Sequence, residues 1–391
     1  MREEQKGTNM SIIQFKLISF IFCILLFVSC GSNSREGQND DFIRIPVNFH
    51  ENIIGKTMLR TSQYIDTVEY INITASEGVD YVIGEISDIC YVGDKYYILD
   101  RMSKAIYTIS EGGIIESVVH SPGRGPDEYL SLLAFDVNPT SSDICVMDDI
   151  TRRIQIYNRK GEFKRTITID DIVRDMAVLP NGDFLLYTPD FMDSNRRGLW
   201  RLDSLGNFKE HHVYIEDDFR YGGIYPKYFT KINDSVVGLM GGEDYDRIYH
   251  ITCDTVEVAY QIDIDIEMSK EVCQNELADL ETEPGEVYTK NDYCETESFL
   301  HFRIQTSSKQ MIVNYDKKNE EILAIVDYDT RTLKDDMGLY KYFDRSSNGV
   351  LFTSLPVGLV MKYLSAEFSQ INEDSNPLIV KYRLKNNYRS N

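Results

Sequence analysis

Three acidic groupings have the residue types and spacing for chemistry: Asp148-Asp149, Asp217-Asp218 and Asp263-x-Asp265-x-Glu267. Paired carboxylates can cleave glycosidic bonds or hold calcium. In the last grouping, alternation with Ile262, Ile264 and Ile266 puts every carboxylate on one strand face. A half-exposed outer strand has the same pattern, and a solvated face is the simpler reading. The six histidines (His50, His120, His211, His212, His250 and His301) form no HExxH or HxH, and His211-His212 would point to opposite sides of a strand. No metal site is expected, although so acidic a chain could take up calcium. No serine sits in a G-x-S-x-G elbow, and Gly123-Arg124-Gly125 lacks the lysine and helix start of a phosphate loop. With no nucleophile–base set in view, no catalytic residue and no cofactor are assigned.

One run does concentrate reactive side chains beside backbone-shaping residues: Ser121 to Leu130, SPGRGPDEYL. Gly123 and Gly125 permit conformations closed to other residues, and Pro126 fixes the chain next to them. Arg124, Asp127, Glu128 and Tyr129 are thus the candidate ligand- or partner-binding residues, presented at the mouth of a channel. The plainer alternative is a structural corner in which Glu128 caps backbone amides and Tyr129 packs between repeats. The 26 tyrosines divide in the same way, between stacking on sugar rings and filling gaps in a core.

The elements that position these residues begin with an address. Leu17 to Val28 (LISFIFCILLFV) is an apolar run after Lys16 and before Ser29-Cys30-Gly31. It is short for a membrane span and suits a secretory signal, a plain membrane anchor being the alternative. Phe27-Val28-Ser29-Cys30 resembles a bacterial lipoprotein box, so residues 1–29 read as a signal peptide and Cys30 as the lipidation site; Met10 is an alternative start. Residues 30–58 then read as a lipidated flexible tether, opening with small, polar and acidic residues from Gly31 to Asp41. Acidic residues number 63 against 41 basic ones over 391 positions, which argues against nucleic acid as a partner. Membrane contact is therefore expected through the lipid. Cys90 and Cys145 lie in strand-like apolar runs and read as small core residues, while Cys253, Cys273 and Cys294 show no metal-ligand spacing.

From residue 59 to 388 the chain repeats itself. A shift of 48 sets residues 95–113 on 143–161, superposing Leu99 on Met147, Asp100 on Asp148, Ile106 on Ile154 and Gly113 on Gly161. Gly161-Glu162-Phe163 recurs as Gly206-Asn207-Phe208. Each unit is a set of short alternating strands bounded by turn dipeptides, which cannot close a core alone but can pack radially. Second-strand cores at Tyr96–Leu99, Ile144–Met147, Phe184–Tyr187, Val236–Leu239, Met311–Tyr315 and Val350–Thr353 predict an all-β, six-bladed β-propeller; a β-sandwich or a pair of barrels is the alternative. Closure is expected from pairing Ile65–Ile73 with Leu378–Leu384. A small helical insertion is expected at Met268–Glu283, with Gly358–Phe368 as a second helical stretch.

The run Gly123, Gly125, Pro126, Glu128 and Tyr129, its place between the first two repeats, the closing Asn376-Pro377 and the lipoprotein signal together resemble the six-bladed β-propeller lipoproteins of Bacteroidetes, distant relatives of NHL-repeat propellers. The resemblance covers roughly residues 60–385. It implies an outer-membrane lipoprotein facing the periplasm or the cell surface, from a family whose members often accompany polysaccharide-uptake or signalling genes. The function expected is a non-catalytic module binding an envelope protein or glycan. The alternative is a propeller lyase or hydrolase working through channel carboxylates.

Overall fold

The computed structural model describes residues 42–47, 61–75, 82–189, 194–214, 227–241, 246–264, 288–306, 310–327, 337, 343 and 345–385. The chain divides into two units, Met1–Asp41 and Phe42–Asn391, and the second carries the fold.

Strands are numbered along the chain. The first blade contains β3 (Asp88–Val92), β4 (Lys95–Asp100), β5 (Ala105–Ser110) and β6 (Ile115–Val119). The second contains β7 (Ala134–Val137), β8 (Ile144–Asp148), β9 (Arg153–Tyr157) and β10 (Phe163–Thr168). The third contains β11 (Asp175–Val178), β12 (Phe184–Thr188), β13 (Gly198–Leu202) and β14 (Phe208–Tyr214). The fourth contains β19 (Tyr288–Glu295), β20 (Phe299–Thr306), β21 (Gln310–Asp316) and β22 (Glu321–Asp327). All four are antiparallel meanders of β-branched and aromatic residues, and tight turns join their neighbours. At Gly93-Asp94 both central residues have positive φ (57° and 58°), the geometry that matches the twist of a two-residue hairpin.

The remaining strands form one nine-stranded sheet. It runs β1 (Ile43–Val47), β18 (Val256–Ile264), β17 (Arg247–Ile251), β16 (Val237–Met240), β15 (Phe229–Lys231), β23 (Arg345–Ser347), β24 (Val350–Leu355), β25 (Leu378–Leu384) and β2 (Ile65–Asn72). The fold is an all-β propeller, but the six separate blades expected from the repeats are corrected to four, with this larger sheet completing the ring. The count overreached for a definite reason. The cores at Val236–Leu239 and Val350–Thr353 belong to one sheet, because β15 and β23 pair through Lys231 and Ser347. Within it β2 pairs antiparallel with β25, Ile65 opposite Leu384 and Asn72 opposite Leu378. β1, inside the stretch read as a tether, lies parallel to β18. The expected helix at Met268–Glu283 lies outside the described residues, and the second helical stretch contains α1 (Val357–Tyr363).

Apolar residues fill the gaps between neighbouring sheets. The first and second blades enclose Tyr97, Leu99, Ile106, Phe135, Val146 and Tyr157, while the second and third enclose Met147, Ile154, Phe184 and Trp200. Cys90 and Cys145 pack as buried core residues there, and burial pushes the Cys90 thiol up to about 12. The radial contact between blades is set, in the first three blades, by a glycine in the third-to-fourth-strand turn. Gly161 has φ +82°, and a Cβ there would stand 2.6 Å from the Val118 carbonyl of the preceding blade. Gly113 and Gly206 occupy the same place in their own turns, so the repeated Gly is a packing requirement as much as a turn signal.

Gly161→Ala should therefore destabilise the protein by about 1–3 kcal/mol, through strain at positive φ and the backbone contact. Gly358 in α1 has open space around its Cβ position, and Gly358→Ala should stabilise by about 0.5–1 kcal/mol. Urea unfolding of the two variants checks both signs.

Candidate functional site

The innermost strand of each blade has one edge without a strand neighbour, and its backbone groups need partners. Side chains supply them around the axis. The Asp136 carboxylate accepts from the amides of Val137 and of Val178 in β11, at 2.8 and 2.7 Å. Asp175 accepts from Met176 and, across to β15, from Tyr228 and Phe229. Ser346 Oγ accepts from the Glu295 amide of β19, and Ser347 Oγ accepts from the Tyr91 amide of β3. The Cys90 thiol points at Asp136 Oδ1, 3.4 Å away, and closes the step from β3 to β7.

Cations balance these acids. Lys231, buried, sits 2.9 Å from Asp136 Oδ1 and also donates to the Val137 carbonyl. Lys227 reaches both Asp88 oxygens at 2.9 and 3.1 Å, and Arg345 Nε approaches Asp88 at 3.4 Å. Burial opposes the charge on Asp88, but Lys227 and Arg345 outweigh it and hold its carboxyl below the usual range. Asp175 goes the other way: burial raises it to about 6, only partly offset by Lys227 and the amides of Tyr228 and Phe229. Sequence reasoning missed all of these residues except Cys90, which it read as a small core residue. The available signal was an aspartate embedded in an apolar strand, as in Asp88-Ile89-Cys90 and Asp175-Met176-Ala177.

Asp88, Asp175 and Arg345 each begin an innermost strand, and Lys227 lies two residues before β15. They share one face of the propeller, called the front, with the turns that join second to third strands. The loop Ser121–Leu130 leads into β7 on this face, but it lies outward over β9 and β10 rather than at the axis. Gln155 donates to the Glu128 carbonyl, Tyr157 to the Asp127 carbonyl at 2.9 Å, and Thr166 to the Pro126 carbonyl at 3.0 Å. Tyr129 is fully buried between the first two blades; its hydroxyl donates to the Lys104 carbonyl at 2.8 Å, and burial pushes it up to about 12. Glu128 Oε2 accepts from the Gly125 amide at 2.6 Å, and a Cβ on Gly123 would collide with that carboxylate. Of the four candidates, Arg124 and Asp127 remain exposed, while Glu128 and Tyr129 hold the loop in shape.

The acidic groupings separate similarly. Asp148 is buried and caps the amides of Ile150, Thr151 and Leu130, just as Asp100 caps Met102, Ser103 and Gly84. Asp263 pairs with Arg44 of β1, and Asp217, Asp218, Asp265 and Glu267 lie outside the described residues. Among the described residues no three His, Cys, Asp or Glu side chains are grouped to hold a metal.

Beside the axis on the front face lies a cleft of about 450 Å³ lined by Glu85, Ser87, Asp88, Met102, Arg345 and Pro356, among others. The turn Arg101–Lys104 separates it from the loop. Met102 faces the cleft, while Arg101 and Lys104 donate to the carbonyls of Leu133 and Leu130. Cleft and loop are thus neighbours braced by one turn.

The raised Asp175 has a signed consequence for stability. Its proton is held more tightly folded than unfolded, so folding is opposed as soon as the unfolded carboxyl ionises. Stability should fall as pH rises from about 4 to about 6 and level off above, by about 3 kcal/mol in all. Asp175→Asn should abolish that slope relative to the parent protein, whatever its constant offset, in urea unfolding across this window.

Residues 44–383 match the family described as a domain of unknown function, DUF4934. No curated protein matches the sequence. The solved structure of a Bacteroides fragilis NCTC 9343 protein, described as exported, superposes with a TM-score of 0.69 at 18% identity, covering 88% of this chain and 99% of that one. A DUF4221-family member from Bacteroides vulgatus ATCC 8482 gives 0.47 at 13% identity, over 83% and 98% of the two chains. Virginiamycin B lyase of Staphylococcus aureus gives 0.38 at 13% identity, over 73% and 80% of the two chains. The first likeness is one of fold, and the family match spans most of the chain: the protein belongs to the DUF4934 family.

Proposed function

We propose that this protein is an envelope lipoprotein, anchored through Cys30, whose front face binds a glycan or peptide segment without turning it over. The observation that carries the reading is the cleft beside the axis. It joins exposed apolar surface at Met102 and Pro356 to the charged groups of Glu85, Asp88 and Arg345. That mixture suits a ligand with both apolar faces and polar edges. Arg124 and Asp127, exposed on the adjoining loop, extend the surface outward.

The acids nearest the axis support binding over turnover, since Asp88 is ion-paired and Asp136 and Asp175 are occupied by backbone amides. The Bacteroides fragilis protein of like fold is described as exported, which agrees with an envelope location for this chain. Kinship with NHL-repeat propellers, suggested by Gly123 to Tyr129, belongs to the same reading.

Calorimetric titration against panels of oligosaccharides and short peptides tests it. Saturable binding is expected, weakened about tenfold or more by Met102→Asp or Glu85→Arg, substitutions on exposed residues that leave the axial ion pairs in place. Binding indifferent to both changes would overturn the cleft assignment, and product formation would overturn the non-catalytic reading. Cys30→Ser should move the chain from the membrane to the soluble fraction; unchanged fractionation would remove the lipid anchor.

A further inference from the structure

The 48-residue shift that relates the first two blades sets Arg101 on Asp149 and Lys104 on Arg152. Both turns join second to third strands at the front, and φ is positive at the matched positions, 52° at Lys104 and 54° at Arg152. Similar backbones carry side chains with different partners. In the first blade the cations brace the connector that follows, Arg101 donating to the Leu133 carbonyl at 2.8 Å and Lys104 to the Leu130 carbonyl at 3.0 Å. In the second blade the turn meets its own connector, residues 169–174, through the backbone: the Ile169 amide donates to the Arg152 carbonyl at 2.9 Å. Among the described residues the Arg152 guanidinium has neither a hydrogen bond nor an ion pair.

Turn and connector enclose a cleft of about 210 Å³ on the front face, between the second and third blades. It shares no lining residue with the cleft at Met102. Its floor is apolar, made of Met147, Ile169, Ile172 and Val173. Two cations line it, Arg152 and Arg174, and the Arg174 side chain is likewise without a partner among the described residues. A guanidinium beside a carboxylate ordinarily pairs with it, and Asp149 and Asp171 line the same cleft. Both acids are held by other donors instead. Asp149 accepts from the Ser131 hydroxyl. Asp171, buried, accepts from the Ile172 amide and the Ser194 hydroxyl, each at 2.8 Å and both on Oδ1. The second oxygen of each acid has no hydrogen bond among the described residues.

These groups together specify a ligand. Two unpaired guanidiniums suit a carboxylate, free carboxylate oxygens suit hydroxyl donors, and an apolar floor suits a face of C–H groups. We propose that the cleft between Arg152 and Arg174 binds a uronic acid residue of an acidic glycan, at a site separate from the cleft at Met102. A uronic acid is a sugar ring bearing one carboxylate among several hydroxyls, so it meets all three requirements. A peptide rich in Asp or Glu brings the anion without the hydroxyls, and its further carboxylates would face Asp149 and Asp171. The volume lies below the about 300–1,000 Å³ usual for drug-sized ligands, so one ring enters and the rest of the glycan stays outside. The protein carries a formal charge of −22, so its overall field repels anions, and binding depends on the two arginines at contact range.

The full chain is titrated by calorimetry with dimers of galacturonic, glucuronic and mannuronic acid, with their methyl esters, and with a tri-glutamate peptide. Saturable binding of at least one uronate dimer is expected, weakened about tenfold or more by methyl esterification and by Arg152→Gln or Arg174→Gln. The esters probe the carboxylate contact in the unaltered protein, so the result does not hang on how a variant folds. Esters that bind as tightly as the acids, arginine variants that bind as tightly as the parent, or no binding by any dimer would each overturn the proposal. Tighter binding of the peptide would assign the cleft to acidic peptides and overturn it as well. Uronate binding lost in Met102→Asp or Glu85→Arg but kept in both arginine variants would move the ligand to the other cleft, and this site would fall while the front-face reading stood.

Discussion

A propeller has to give the innermost strand of each sheet something to bond with, because that strand faces the axis instead of another strand. Here the answer is a circle of short polar side chains. Asp136 and Asp175 accept backbone amides across the gap to the next sheet, and Ser346 and Ser347 do the same on either side of β23. A buried carboxylate would ordinarily be costly, but each of these has amide donors, and Lys227 and Lys231 supply the balancing charge. The arrangement is cooperative by construction: removing Asp136 leaves amides on two sheets without partners and takes the carboxylate from buried Lys231.

The same device recurs one strand further out, at the front ends of second strands. Asp100 and Asp148 each cap the amides of the following turn and also reach a connecting segment, Asp100 to Gly84 and Asp148 to Leu130. Burial works against the charge on Asp148, yet the amides of Leu130 and Thr151 keep its carboxyl below the usual range. Each acid thus holds both a turn and the chain entering a blade, which is how the front face keeps its shape beside the cleft.

Much of this was readable in the sequence, and the rest was hidden for physical reasons. The 48-residue shift superposed Asp100 on Asp148 and Gly113 on Gly161, and these prove to be capping and packing positions. Blade number was overread because strand periodicity records where strands lie and not which edges meet; the single Lys231–Ser347 pairing merges two runs that look separate in one dimension. β1 escaped notice since a five-residue strand joined to a partner more than two hundred positions away leaves no local trace. The loop Ser121–Leu130 reads in sequence as standing at a channel mouth, but the fate of each side chain depends on Tyr157, Gln155 and Thr166 of the next blade. The axial acids were passed over because alternation alone treats an aspartate in an apolar strand as a break in pattern.

The nine-stranded sheet gathers residues from both extremities of the second unit, Ile43 and Ile65 near its beginning and Leu384 near its end. Four blades can assemble from contiguous stretches, yet this sheet has to wait for its last strand to be made. The protein therefore stays open at one seam until Leu378–Leu384 has been made and has paired on both sides.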